Sequence, residues 1–180
     1  MTQTEQAQDF DHAIKDEDIE RAKLLLGIDT PISIDEHHRE LSTDAIRQFA
    51  IGYGDDNPLF VDPEYAATTR WGGPIAPPMI ICALSRKMLG DPIPDDIRKA
   101  TKGLFSGIHV FVSGQSTEWF APVRPGDRLY GFGGMESTEL KTSEYAGRSV
   151  IRVRRMVRIN QRAEVVAIER IILILSLIHI

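Results

Sequence analysis

The segment Met79–Leu89 constrains the fold of this chain more than any other. Met79, Ile80, Cys82, Ala83, Leu84, Met88 and Leu89 make it apolar around most of a helical circumference. It starts directly after Pro77-Pro78 and stops at Gly90, residue types that mark helix boundaries. A helix apolar on nearly every side must be enclosed, and the rest of the chain has to supply the enclosure. From Leu104 onward the pattern changes to strands. Ile108, Val110 and Val112 alternate, and Arg128–Glu139, Ser149–Ile159 and Glu164–Ile174 follow as further strand candidates. Helices first and consecutive strands after them predict an α+β fold, a curved antiparallel sheet wrapped around one long central helix.

The chain has 180 residues, 42% of them hydrophobic, enough for one well-buried domain and short for two. Its single cysteine, Cys82, excludes an internal disulfide and fits a reducing compartment. Lys and Arg number 21 against 26 Asp and Glu, and the net charge of -5 argues against general nucleic-acid binding. Met1–Asp11 lacks the apolar stretch of a secretory signal, and Ile171–Ile180 is too short to span a bilayer. The expectation is a cytoplasmic chain with no membrane partner and no nucleic-acid partner, and it includes no metal and no cofactor.

Residues 1–15 read as a frayed, disordered leader and 16–174 as one domain. Asp16–Leu26 is helical in pattern, with Asp16 as its cap, Glu17, Asp18 and Glu20 as acids in its first turn, Ile19, Ala22 and Leu26 on one face and Gly27 after it. Pro31–Glu40 alternates loosely and is a candidate first strand. Ser42 caps a second helix with Ile46, Phe49 and Ala50 on its inner stripe. Asp62-Pro63-Glu64 is a strong start for a third, which ends near Arg70-Trp71-Gly72-Gly73. In Ser149–Ile159, Ile151, Val153, Val157 and Ile159 fall on one face, taken as the buried one. Arg152, Arg154 and Arg158 fall on the other, taken as the outer one.

Leu175–Ile180 has an unusual composition for a chain end. Leu-Ser-Leu-Ile-His-Ile is what the DNA string CTGTCTCTTATACACATC encodes, which resembles a transposon end used to prepare sequencing libraries. The expectation is that these six residues are an adapter artefact. The alternative is a genuine apolar final strand, and the coding DNA read past the codon for Ile174 separates the two.

The chemistry-bearing segment is Tyr53-Gly-Asp-Asp-Asn-Pro-Leu-Phe-Val-Asp-Pro-Glu-Tyr-Ala66, followed by Gly73-Pro-Ile-Ala-Pro-Pro-Met79. Asp55 and Asn57 sit in a loop between helices, ahead of the start of the apolar helix. The unpaired N–H groups of such a helix start suit a carbonyl oxygen or developing oxyanion, and a carboxylate held nearby can act as general base on water. The same two residues also serve as ordinary caps of a turn. The residues alone leave both readings open.

This segment resembles the MaoC-like hydratase and dehydratase family of hotdog proteins. The family pattern is roughly Gly-Asp-x-Asn-Pro-x-His, then Asp-x-x-x-Ala, then Ile-x-His-Gly-Met. Gly54, Asp55, Asn57, Pro58, Asp62, Ala66, Pro74, Ile75 and Met79 match in register. Pro122-Val-Arg-Pro-Gly-Asp127 resembles the turn between the family's later strands, and the likeness runs from about residue 16 to about 172. The resemblance is strongest to the N-terminal dehydratase-like halves found in two-hotdog proteins and heteromeric dehydratases. The resemblance implies a hotdog fold and reversible hydration of a 2-enoyl thioester to the (R)-3-hydroxyacyl thioester, carried on coenzyme A or an acyl carrier protein. It implies Asp55 as the catalytic carboxylate, with Asn57 and the backbone of Met79 and Ile80 at the substrate.

Two positions depart from the pattern. The family's proton-transferring His is Phe60 here, and its His-Gly pair is Pro77-Pro78, which has no N–H to donate. Loss of an acid–base partner typically removes a factor of about 10² to 10⁴, and loss of an oxyanion donor roughly 10² to 10³. The expectation is therefore a degenerate half that supports a catalytic hotdog. That hotdog would be a second copy, a partner subunit or a further domain of the same chain. The alternative is a non-catalytic acyl-thioester-binding or assembly module.

Other chemistry-bearing residues carry weaker signals. Glu36, His37, His38 and Glu40 lie on a candidate strand, where neighbours point to opposite faces and do not converge on a metal. His109 is a candidate substitute for the missing His or a strand residue, and Cys82 reads as an inert core thiol. Arg148, Arg152, Arg154, Arg155, Arg158 and Arg162 either meet the phosphates of coenzyme A or an acidic carrier, or form a solvated strand face. Trp71 and Trp119 line an acyl pocket or fill core.

Overall fold

A computed structural model describes residues 14–31, 40–82, 89–144 and 147–176. In chain order these form α1 (Asp16–Lys23), α2 (Thr43–Gly52), α3 (Pro58–Val61), α4 (Pro63–Thr68), a 3₁₀ turn (Pro78–Cys82) and α5 (Asp95–Ala100). Strands β1 (His109–Trp119), β2 (Leu129–Ser143), β3 (Gly147–Asn160) and β4 (Val165–Ser176) follow. The strands make one antiparallel sheet in the order β1-β4-β3-β2. The architecture is the α+β arrangement expected, with helices first and an antiparallel sheet after them. Among the described residues no helix is long and apolar enough to cross a membrane.

Local chemistry sets the helix boundaries. Ser42 Oγ accepts the Ala45 N–H at 3.0 Å. Asp62 Oδ1 accepts from Glu64 and Tyr65 at 2.9 and 3.1 Å, with Pro63 at the first helical position. α1 departs from expectation at both ends. Lys15 rather than Asp16 is its N-cap, and Leu26 has left the helix to bridge Met135 on β2. Of the apolar segment Met79–Leu89, the described start is the 3₁₀ turn through Cys82. Positions 83–88 lie outside the described residues, as do 32–39 of the candidate first strand, which include His37 and His38.

Two apolar clusters lie under the helices. One joins Leu41, Ile46, Ile80 and Ile81 to Val123, Leu129, Val166 and Ala167. The other joins Ile19 and Ala22 of α1 to Phe105, Ile108, Val150 and Leu175. Leu175 and Ser176 thus continue β4, opposite Val110 and His109.

These clusters reverse the sequence expectation for β3. Ala167, in the first cluster, is the cross-strand partner of Arg158, and Val150, in the second, shares a face with Arg152 and Arg154 by strand alternation. Arg152, Arg154 and Arg158 therefore lie on the helix-bearing face, and Ile151, Val153, Val157 and Ile159 on the opposite one, where Val157 is itself buried. Strict alternation assigns residues to two faces without saying which face is covered. Long arginine side chains can also lie along apolar surface while their heads find partners.

Candidate functional site

The loop from Tyr53 to Asn57 is built from local hydrogen bonds. The Asp55 N–H donates to the Ala50 carbonyl at 2.9 Å, and Asp55 Oδ1 accepts the Asn57 N–H at 3.1 Å. Asn57 Oδ1 then accepts the Leu59 N–H at 3.0 Å, making Asn57 the N-cap of α3, with Pro58 at its first position. That short helix turns Phe60 inward, where it packs against the cluster of Leu41, Ile46 and Ile80.

The connection from Gly73 to Met79 is tied down from the other side. The Ala76 N–H donates to the Val123 carbonyl at 2.8 Å, joining this loop to the turn that leaves β1. Between them lies an open pocket of about 320 Å³. Phe60, Trp71 and Pro78 form one wall, and Trp119, Phe120 and Pro122 another, with Ile75, Ala76, Ala121 and Val123 completing the described lining. None of these side chains can take or give a proton near neutral pH. The guanidinium of Arg70 stacks over Trp71 at 4.5 Å from the ring centroid, fixing the indole at the rim.

The residues singled out from sequence distribute unevenly around this pocket. Phe60 and Pro78, the two positions that depart from the family pattern, both line it. Asp55 and Asn57 are not among its lining residues, and each accepts a turn-forming N–H. Ile80 is 2% exposed, and its N–H is taken by the Pro77 carbonyl at 3.0 Å. Met79 is 53% exposed at the start of the 3₁₀ turn. Trp71 and Trp119, left open between pocket and core, both line the pocket. Phe120 was missed, although an aromatic directly ahead of Ala-Pro at a strand end is a legible signal for a rim residue. His109 is exposed at the opposite end of β1 from Trp119. Ten residues of extended strand put roughly 33 Å between them, so His109 does not replace the missing histidine.

The sequence matches the family model for the FAS1-like dehydratase domain region over residues 30–169. The chain belongs to this dehydratase-domain family. A UPF0336 protein of Streptomyces avermitilis is 32% identical to the dehydratase-family chain over 120 residues, 64% of this chain and 71% of that one. The MaoC-like dehydratase of Rhodospirillum rubrum superposes with a TM-score of 0.57 at 22% identity, covering 86% of this chain and 94% of that one. A chain of the ChsH1-ChsH2 complex of Mycobacterium tuberculosis superposes with a TM-score of 0.65 at 19% identity, covering 88% and 93%. The fold of this family member is the hotdog fold expected from the motif.

Proposed function

We propose that this chain is the supporting hotdog of a two-hotdog hydratase or dehydratase acting on acyl thioesters. The reaction of the whole assembly is reversible hydration of a 2-enoyl to an (R)-3-hydroxyacyl thioester. The observation that carries the reading is the convergence of Phe60 and Pro78 on one apolar pocket. Where a catalytic hotdog of the family holds an acid–base side chain and an N–H donor, this one presents a phenyl ring and a proline. The pocket can hold an acyl chain by burial, at about 25 cal/mol per Å² of apolar surface removed from water, but its lining moves no proton. Asp55, the retained carboxylate, serves here as the acceptor that closes the α2–α3 turn. The exposed Met79 is the remaining candidate for a backbone contact to the thioester. Ile80, with its N–H already taken, is not.

The partner in this reading is a second hotdog. The edge strand β1 runs for 11 residues, with Val110 57% and Val112 69% exposed. A long edge of this kind is normally covered by a protein neighbour. That the similar ChsH1-ChsH2 chain comes from a complex of two proteins supports the same arrangement.

The test is Asp55→Asn in the complete assembly. Asparagine keeps the oxygen that accepts the Asn57 N–H and loses only the carboxylate. A change in hydration rate below about threefold fits a supporting half. A loss of about 10² or more, the size expected for removal of a general base, would place Asp55 at the chemistry and overturn the reading.

A further inference from the structure

Four of the six arginines that concentrate in and beside β3 have carboxylate partners. Arg148 pairs with Asp16. Arg155 meets both oxygens of Asp29 at 2.7 Å. Arg158 meets Glu169, and Arg162 meets Asp127 and Glu164, all at 2.9 Å. Arg152 and Arg154 have none among the described residues, and they are adjacent on the covered face, about 7 Å apart by strand geometry.

Their surroundings make that lack costly. Burial first, and then the neighbouring charge of Arg154, holds the Arg152 guanidinium below its ordinary pKa. Burial and the charge of Arg158 do the same to Arg154. Arg152 Nε is buried without a hydrogen-bond partner, and so is Thr138 Oγ1. Thr138 is the residue directly across from Arg152 in the β2–β3 register, so two orphaned donors stand side by side on one face. Phe105 supplies only a ring beneath the Arg152 guanidinium, 5.6 Å from its centroid.

Apart from the exposed Glu17 of α1, the carboxylates of α1 and the neighbouring strands are engaged elsewhere. On α1, Asp16 is held by Arg148, Asp18 by Arg21 and Glu20 by Lys23. Asp29 is held by Arg155 and Glu169 by Arg158. Arg154 also lines a pocket of about 130 Å³, with Leu25, Ile28, Ile93 and Met135 as its apolar walls. That volume equals about four waters, room for one phosphate-sized group beside Arg154. Arg152 and Thr138 stand next to this pocket rather than in its lining, and Thr138 borders a separate space with Asp16, Glu20 and Glu139.

We infer that Arg152, Arg154 and Thr138 form a binding site for a phosphate group. Two unneutralised guanidinium groups match a dianion, and their N–H donors with the hydroxyl suit an anion offering several oxygens. The phosphate is either free or part of a pantetheine-type thioester carrier. The first source stands apart from the hydration reading, and the second rests on it.

The experiment titrates the full chain with inorganic phosphate in phosphate-free buffer, following melting temperature and the Arg152 Nε–H resonance. The expected result is a saturable rise in melting temperature and a shift of that resonance at millimolar phosphate. Arg154→Gln is expected to weaken the response at least tenfold, and exposed Arg47→Gln to leave it unchanged. If Arg154→Gln does not fold, Arg154→Lys, which keeps the charge and loses the fork, is expected to weaken binding severalfold. Tighter binding of coenzyme A than of phosphate-free pantetheine assigns the site to a carrier. Equal binding of the two, beside a response to inorganic phosphate, assigns it to the free ion. Absence of a saturable response, or a response unchanged by the Arg154 variants, overturns the site.

Discussion

Arg158 on β3 donates from Nε to Glu169 Oε2 on β4 at 2.9 Å, with the two side chains only 5% and 3% exposed. Gln115 Nε2 of β1 reaches the other Glu169 oxygen at 3.4 Å, so three strands meet at one buried charge pair. Removing one partner leaves the other buried and uncompensated, whereas replacing both leaves only packing to satisfy. Glu169→Ala is expected to lower unfolding free energy by about 3–5 kcal/mol. The double variant Arg158→Met/Glu169→Leu is expected to recover most of that loss. Urea denaturation of the two variants checks both.

Gly134 marks the closest backbone approach outside the strand ladder. A Cβ there would lie 2.0 Å from the Ile28 carbonyl oxygen, in the segment that also brings Asp29 to Arg155. Gly134→Ala is expected to cost about 1–3 kcal/mol by overpacking. At Gly114 the added Cβ meets only Ile172 Cδ1 at an ordinary 3.7 Å, so Gly114→Ala is the control expected to shift the denaturation midpoint far less.

Phe60 tests the pocket without touching a titratable group. Its ring is half-buried against the first cluster and forms part of the pocket wall. Phe60→Ala is expected to lose about 1–2 kcal/mol of stability from reduced apolar burial. Acyl-thioester binding, read by the fluorescence of Trp71 and Trp119, is expected to weaken. Unchanged binding would separate the pocket from the acyl group.

Asp62 carries a purely local prediction. Its carboxylate takes both first-turn N–H groups of α4, so Asp62→Ala is expected to cost about 1 kcal/mol. Exposed Asp56→Ala serves as the neutral comparison in thermal unfolding.

What was legible in the sequence follows the range of the interactions involved. Ser42 and Asp62 caps were readable because a cap and its N–H groups lie within three residues. The four strands were readable because alternation is also local. The acids Asp95 and Asp96 and the bases Arg98 and Lys99 mark α5 equally well, and that signal was overlooked. The covered face of β3 was misassigned because it depends on where α1 and Leu41–Ile46 pack, which no strand pattern encodes. At the site, the motif named Phe60 and Pro78 as departures. Their convergence depends on the Ala76–Val123 hydrogen bond and the aromatic end of β1, both remote in sequence. The absence of partners for Arg152 and Arg154 was invisible for the same reason, since nothing local distinguishes them from Arg155 or Arg158.

The central claim is that this hotdog holds an acyl thioester without transforming it. The most direct test is a hydration assay of this chain alone with a 2-enoyl coenzyme A thioester, alongside binding read from Trp71 and Trp119 fluorescence. The account predicts saturable binding with no turnover above the uncatalysed rate. Turnover by the isolated chain, abolished by Asp55→Asn and retained in Arg47→Gln, would contradict it.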